Sequence, residues 1–188
     1  MLIIYAHPNH RGHCGYILAQ VEKQLKLRDM QYEVLDLYKM KYDPILHDEE
    51  HYTSGGYSKS DLTLSLQKKI EESKHLIFIY PTWWNAPPAI LKGFVDKVFT
   101  ARWAYRYING IPRGLLKGRR ALVFTTTGAK RFMGLPYLMD ISLRLMTWYV
   151  LSFSGIRSKG YVIGNCVQLN DKQKKKIERK VSAAIATI

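Results

Sequence analysis

Tyr80-Pro81-Thr82-Trp83-Trp84-Asn85-Ala86-Pro87-Pro88-Ala89-Ile90-Leu91-Lys92-Gly93-Phe94 joins one apolar run to another through a short loop of aromatics and prolines. The segment before it, His75–Tyr80, is continuously apolar after its first residue and reads as a strand covered on both faces. Pro81, Pro87 and Pro88 restrict the loop backbone and leave the N–H groups of the other residues free to point at a ligand. Trp83 and Trp84 can wall a flat ring, or serve as ordinary core or interface residues. Pro88 suits the first turn of a helix predicted from Ala89 to about Phe99.

Working outward, strand and helix signals alternate along the whole chain. Leu2–Ala6 is an apolar run, and Ile17, Leu18, Val21 and Leu25 recur at helical spacing within Tyr16–Leu27. A second strand is predicted at Tyr32–Leu37, a polar turn-rich segment from Tyr38 to Ser60, and a helix near Leu62–Ser73. Beyond the 89–99 helix lies an unusually long connection, Thr100–Gly118, of the kind that often carries function. A fourth strand is expected at Ala121–Thr126, a long apolar helix at Pro136–Phe153, a fifth strand at Tyr161–Val167 and a closing helix at Asp171–Ala186. Five strands alternating with helices imply one α/β domain over 1–188, a doubly wound parallel sheet of order 2-1-3-4-5. In such a sheet the loops 7–14, 81–87 and 126–131 meet at the carboxyl edge.

The chain has 188 residues, 47% of them hydrophobic, enough for one well-buried domain and short for two. No apolar run approaches a membrane span and no charged leader precedes Leu2, so a cytoplasmic location is expected. The two cysteines, Cys14 and Cys166, are too few and too far apart for a disulfide framework. The net charge of +14 is uneven: residues 1–60 hold 7 basic and 8 acidic groups, 61–120 hold 11 and 4, and 121–188 hold 11 and 3. That balance favours polyanions such as a phosphate-bearing cofactor or an anionic membrane face. Nucleic acid is not expected, because no basic helix or aromatic platform stands in a recognisable arrangement. The Lys172-Gln173-Lys174-Lys175-Lys176 run reads as the solvated face of the last helix.

Tyr5-Ala6-His7-Pro8, Asp36-Leu37-Tyr38, Pro81 to Gly93, Trp103-Ala104-Tyr105-Arg106-Tyr107 and Thr126-Thr127-Gly128 together resemble the NAD(P)H quinone reductase branch of the flavodoxin-like superfamily. That group includes flavin-dependent quinone reductases and ancillary oxidoreductases of potassium-efflux systems. The resemblance covers Ile3 to about Gly155 and implies FMN, with FAD as the alternative, and NAD(P)H as co-substrate. It places His7, Arg11, Gly12, His13 and Cys14 around the flavin phosphate, although the family usually has Ser-Phe-Asn where this chain has Gly12-His13-Cys14. It places Pro81, Thr82, Trp83, Trp84 and Asn85 around the ring. Thr126, Thr127 and Gly128 go to the pyrimidine end, where donors stabilise negative charge that builds up on reduction.

In mammalian-type relatives a Tyr and a His follow this last loop; Lys130 and Arg131 stand there instead and are expected to supply positive charge. Tyr105 and Tyr107 match substrate-pocket tyrosines, and in these enzymes the pocket lies at a homodimer interface. The implied reaction is a two-electron, ping-pong hydride transfer from NAD(P)H through flavin to a quinone. A one-electron flavodoxin-like carrier, and a regulatory subunit docking on a membrane transporter, are the competing functions. His7, His10, His13 and Cys14 also form a spacing that zinc can use, but a loop feeding a helix tends to splay such ligands, with His10 expected in solvent.

Overall fold

The computed structural model describes residues 1–51, 53–54, 58–129 and 141–188. Its centre is a five-stranded parallel sheet of β1 (Leu2–Tyr5), β2 (Glu33–Asp36), β3 (His75–Pro81), β6 (Arg120–Thr126) and β7 (Arg157–Ile163), in the order β2-β1-β3-β6-β7. The helices are α1 (His13–Lys26), α2 (Asp61–Glu72), α3 (Ala89–Val98), α4 (Ile141–Arg144) and α5 (Asp171–Ile185). Alternation along the buried strands divides the core into two layers. Leu2, Ile4, Leu76, Phe78, Tyr80 and Val123 join Leu66 of α2 and Phe94 of α3 on one face. Ile3, Tyr5, Ile77, Ile79, Leu122 and Phe124 join Val21 of α1 and Val181 of α5 on the other. Each fully buried Leu, Ile or Phe contributes about 1.5–3 kcal/mol, so both faces are needed.

The numbers 6 and 7 in the sheet order come from an element that the sequence reading took for an unbroken connection. Within 100–118 lie β4 (Tyr105–Ile108) and β5 (Ile111–Gly114), a separate antiparallel ribbon. Asn109 and Gly110 turn it with φ of 52° and 75°, as a two-residue type I′ turn requires. The ribbon sits at the amino edge of the sheet. Trp103 donates to Glu71 at the end of α2 (2.5 Å), and Leu116 N–H donates to Ser154 just before β7 (2.9 Å). Gly114 crosses Gly155 so closely that a Cβ on it would stand 2.2 Å from Gly155 N.

Two other boundaries differ from expectation. The helix α1 begins at His13, three residues before the expected start at Tyr16, because Gly12 provides an extended N-cap. The strand β7 runs Arg157–Ile163, not 161–167: as an edge strand it exposes Arg157 and Lys159, whose polarity imitates a loop. Of the expected 136–153 helix, 136–140 fall outside the described residues, and α4 continues at Leu145–Ser152 with π-helical winding. Met146 is buried there and Tyr149 is exposed.

The helix α3 is held against the turn-rich segment by charge and by contact. Lys97, 8% exposed, pairs with Glu50 at 2.9 Å and donates to the Ile45 carbonyl at 2.9 Å. One turn earlier, Gly93 lies under Pro44, and a Cβ on Gly93 would meet Pro44 O at 2.1 Å. Gly93→Ala is therefore expected to lower stability to urea unfolding by about 1–3 kcal/mol. Gly12→Ala, at a negative φ with nothing within 4 Å, should cost less than about 1 kcal/mol. A Gly93→Ala protein as stable as the parent would show that α3 does not press on Pro44.

Candidate functional site

Three neighbouring strands deliver their loops side by side because the hydrogen-bond ladder runs on past the strand ends. Ala6 N–H donates to Ile79 O (3.0 Å), Thr82 N–H to Thr126 O (2.7 Å) and Thr127 N–H to Ile163 O (2.9 Å). The loops after β1, β3 and β6 thus meet at one edge, as expected, and the first two are joined there by the rings of His7 and Trp83, 5.9 Å apart.

In the first loop Asn9 is the organiser. Its side-chain Oδ1 accepts Arg11 N–H (2.7 Å), its carbonyl accepts the Tyr5 hydroxyl (3.2 Å), and its N–H donates to His7 Nδ1 (2.9 Å). Burial lowers the pKa of His7, with the Asn9 main chain pulling it back. His10 is not simply in solvent: its Nε2 lies 2.6 Å from Asp36 Oδ2, and its ring packs 4.7 Å from that of Tyr5. Asp36 also accepts Lys39 N–H (3.0 Å), so the first loop is tied to the end of β2. A fourth tie is the glycine after Cys14, which sequence reasoning passed over: a Cβ on Gly15 would stand 1.8 Å from His10 O. Only glycine lets the loop fold back onto α1 so closely.

This folding leaves an open helix end. Gly12 caps α1 with no side-chain acceptor, the first turn holds no acid, and the N–H groups of Gly12, His13, Cys14 and Gly15 make no hydrogen bond among the described residues. Unpaired N–H groups and the helix dipole favour an anion at that point. The Cys14 side chain turns inward, its sulfur 3.3 Å from Thr126 Oγ1, and burial pushes its thiol up to about 12. Cys14 and Thr126 therefore present main chain, not side chain, to the edge. His13 is half-buried; burial lowers its pKa, partly offset by the Gln168 main chain.

In the second loop Pro81 is buried as the last residue of β3, and Thr82 Oγ1 lies 2.8 Å from Thr125 Oγ1. Trp83 and Ala86 exchange both main-chain hydrogen bonds at 3.0 Å around Trp84 and Asn85, whose φ values are 51° and 57°. This second type I′ turn holds Trp84 fully in solvent and sets Trp83, 43% exposed, toward the first loop. In the third loop Thr127 Oγ1 accepts Ala129 N–H (3.3 Å), which leaves its own proton free to donate. Lys130 and Arg131 lie outside the described residues.

Tyr105 and Tyr107 share one face of β4, ring centroids 5.9 Å apart, as their spacing requires. Phe153 completes the group at 4.8 Å from Tyr105, a partner no periodicity announces. These three rings lie at the amino edge, away from the three loops of their own chain. His7, His10, His13 and Cys14 each face a different neighbour. Among the described residues no group of three His, Cys, Asp or Glu could hold a metal.

A family profile described as the flavodoxin-like fold matches residues 1–188. The chain belongs to that family. An NAD(P)H oxidoreductase of Haemophilus influenzae is 30% identical to this flavodoxin-like chain over 178 residues, 93% of this chain and 88% of the relative. The crystal structure of Smu.1420 from Streptococcus mutans is 31% identical with a TM-score of 0.87, covering 100% of this chain and 98% of that one. The guinea pig (Cavia porcellus) NAD(P)H dehydrogenase [quinone] 1 is 33% identical over 149 residues, 70% of this chain and 54% of the relative, so the likeness spans about half of that longer enzyme.

Within this flavodoxin-like framework both cysteines are packing residues. Cys166 donates to Ile163 O at 3.0 Å, and burial raises its thiol to about 11. Iodoacetamide at pH 8 should leave both unmodified in the native protein and alkylate both in urea, read by mass spectrometry. Because folding raises both pKa values from 9.0, their contribution to stability is complete below pH 9 and is lost as pH rises toward 12. Rapid native alkylation of Cys14 would show that α1 parts from Thr126.

Proposed function

We propose that the chain is a flavin-dependent NAD(P)H oxidoreductase that carries two electrons from the nicotinamide to an acceptor of the quinone class. The observation that supports this best is the open α1 end, four N–H groups beside Arg11 that are unpaired among the described residues, with the Trp83 ring against His7 of the same loop at the carboxyl edge of a flavodoxin-like sheet. One group matches a phosphate and the other a flat aromatic, which together describe FMN. Two of the three relatives above are named for NAD(P)H chemistry.

When bound, FMN supplies the hydride-carrying ring. The chain's share is binding, orientation and charge. The N–H groups of Gly12 to Gly15 and the Arg11 guanidinium hold the phosphate; His7, close to the same loop, is a further contact. Main-chain groups of the loop from Pro81 to Asn85 fix the ring's polar edge, and Trp83 covers it. The Thr127 hydroxyl, with its proton free, and the Gly128 N–H offer donors where negative charge accumulates on reduction. Thr126 serves from behind, locked to Cys14 and to Thr82. Lys130 and Arg131, which follow Ala129 in sequence, carry positive charge that would serve the same purpose.

The acceptor pocket is the second half of the proposal. Since Tyr105, Tyr107 and Phe153 lie at the opposite edge of their own chain, they line it only in a homodimer, each triad facing the flavin of the other subunit. The exposed Trp148 and Tyr149 on the π-helical segment give that interface apolar area.

Protein saturated with FMN should be yellow, bleach with NADPH under nitrogen and recover its colour on adding a quinone. Failure of both FMN and FAD to bind the folded protein would end the proposal. Trp83→Ala should weaken FMN by about tenfold, the worth of roughly 1.4 kcal/mol of ring contact, measured by fluorescence titration.

A further inference from the structure

The ribbon β4–β5 has two faces, and only one of them belongs to the proposed acceptor wall. Alternation puts Tyr105 and Tyr107 on the face that turns back toward Phe153, and Arg106, Ile108, Ile111 and Arg113 on the other. All four of the latter are exposed.

Their pairing is unfavourable in water on two counts. Arg106 stands directly opposite Arg113, so like charges face each other across the ladder. Ile108 stands opposite Ile111 at the tip, 41% and 54% exposed, and the two form one apolar spot turned to solvent and not to the core.

No acid balances the arginines. The chain holds no Asp or Glu between Asp96 and Asp140, while Arg102 and Lys117 flank the ribbon. Two carboxylates that approach the ribbon's base are engaged: Glu71 accepts the Trp103 indole N–H at 2.5 Å, and Asp96, which shares a cleft with Tyr105, pairs with Lys92 at 2.7 Å. Neither Arg106 nor Arg113 has an ion-pair partner among the described residues.

The ribbon is fixed at both ends. Arg102 N–H donates to Tyr105 O (2.7 Å), Leu115 N–H to Ala104 O (2.9 Å) and Leu116 N–H to Ser154 O (2.9 Å), and the Asn109-Gly110 turn closes the tip. Residues two apart on a strand are separated by about 7 Å, so the arginine pair lies one such step behind the isoleucine pair. Aliphatic groups in front and guanidinium groups behind match the interface of a bilayer that contains anionic lipid, where acyl chains begin just inside the phosphates. Tyr107, 63% exposed, is of a residue type that settles at the same depth. An acidic protein or a nucleic acid would engage the arginines and leave the isoleucines in water.

We propose that this ribbon face docks on a membrane surface rich in anionic phospholipid, with Ile108 and Ile111 entering the boundary between headgroups and acyl chains. A quinone that carries a long hydrocarbon tail dissolves in that apolar layer, and the tyrosine wall on the other face of the same ribbon takes its acceptor from there. The delivery of the acceptor rests on the oxidoreductase reading; the docking does not.

The test uses the full chain with FMN present, the double variant Ile108→Ser, Ile111→Ser and the double variant Arg106→Gln, Arg113→Gln, each with the circular dichroism of the parent. In flotation assays the parent should bind vesicles of equal parts phosphatidylcholine and phosphatidylglycerol about tenfold or more tightly than vesicles of phosphatidylcholine alone, and each double variant should lose about tenfold. A parent indifferent to phosphatidylglycerol would overturn the assignment. So would a serine variant that binds like the parent while the glutamine variant does not, since the face would then be a general polyanion surface. With NADPH as donor, the serine variant should reduce a long-tailed quinone held in the vesicles about fivefold more slowly than the parent, and a water-soluble benzoquinone at the parent rate. Equal rates on the vesicle-borne quinone would refute the delivery. Parent that docks through these residues yet reduces neither quinone would remove the oxidoreductase reading and uphold the docking.

Discussion

The parallel ladder through β1, β3 and β6 does not stop where the strands stop, and the remainder of the carboxyl edge depends on that continuation. Ala6, Thr82 and Thr127 each make one more main-chain bond beyond the last strand residue, so three loops leave the sheet in fixed register. Side chains then lock what the ladder has aligned. Cys14 against Thr126 draws the start of α1 over β6, and His10 against Asp36 draws the first loop toward β2. The loops can stay short and still converge, because none of them has to find its own position.

Charge follows the same geography. The first sixty residues are close to neutral, yet they contain the α1 end whose first turn is free of carboxylates. The basic excess sits in the later two-thirds, and α5 carries its share to the turn beside the third loop. An anionic ligand approaching this edge meets peptide dipoles at one point and ammonium groups at another. The first set is rigid and short-ranged; the second is mobile and screened by salt.

Much of this was legible in the residues. Continuous apolar runs marked β1, β3 and β6, and alternation of strand with helix gave the doubly wound sheet. The three loops follow from topology alone. What escaped had local causes. The ribbon β4–β5 was missed although Asn109-Gly110 is a strong hairpin signal, because Arg106, Arg113 and Pro112 broke the expected apolar alternation. The inward turn of Cys14, the close fold of Gly15 on His10 and the Tyr105–Phe153 contact join residues that no periodicity links.

The ribbon's placement has an evolutionary corollary. Tyr105 and Phe153 pack ring against ring at the amino edge, the sheet's length away from the loops at the carboxyl edge, so substitutions in one region leave the geometry of the other untouched. With the ribbon as the proposed acceptor wall, a lineage built on this scaffold would drift in what it reduces without renegotiating how it grips its prosthetic group, and the two properties would recombine between descendants as separate modules.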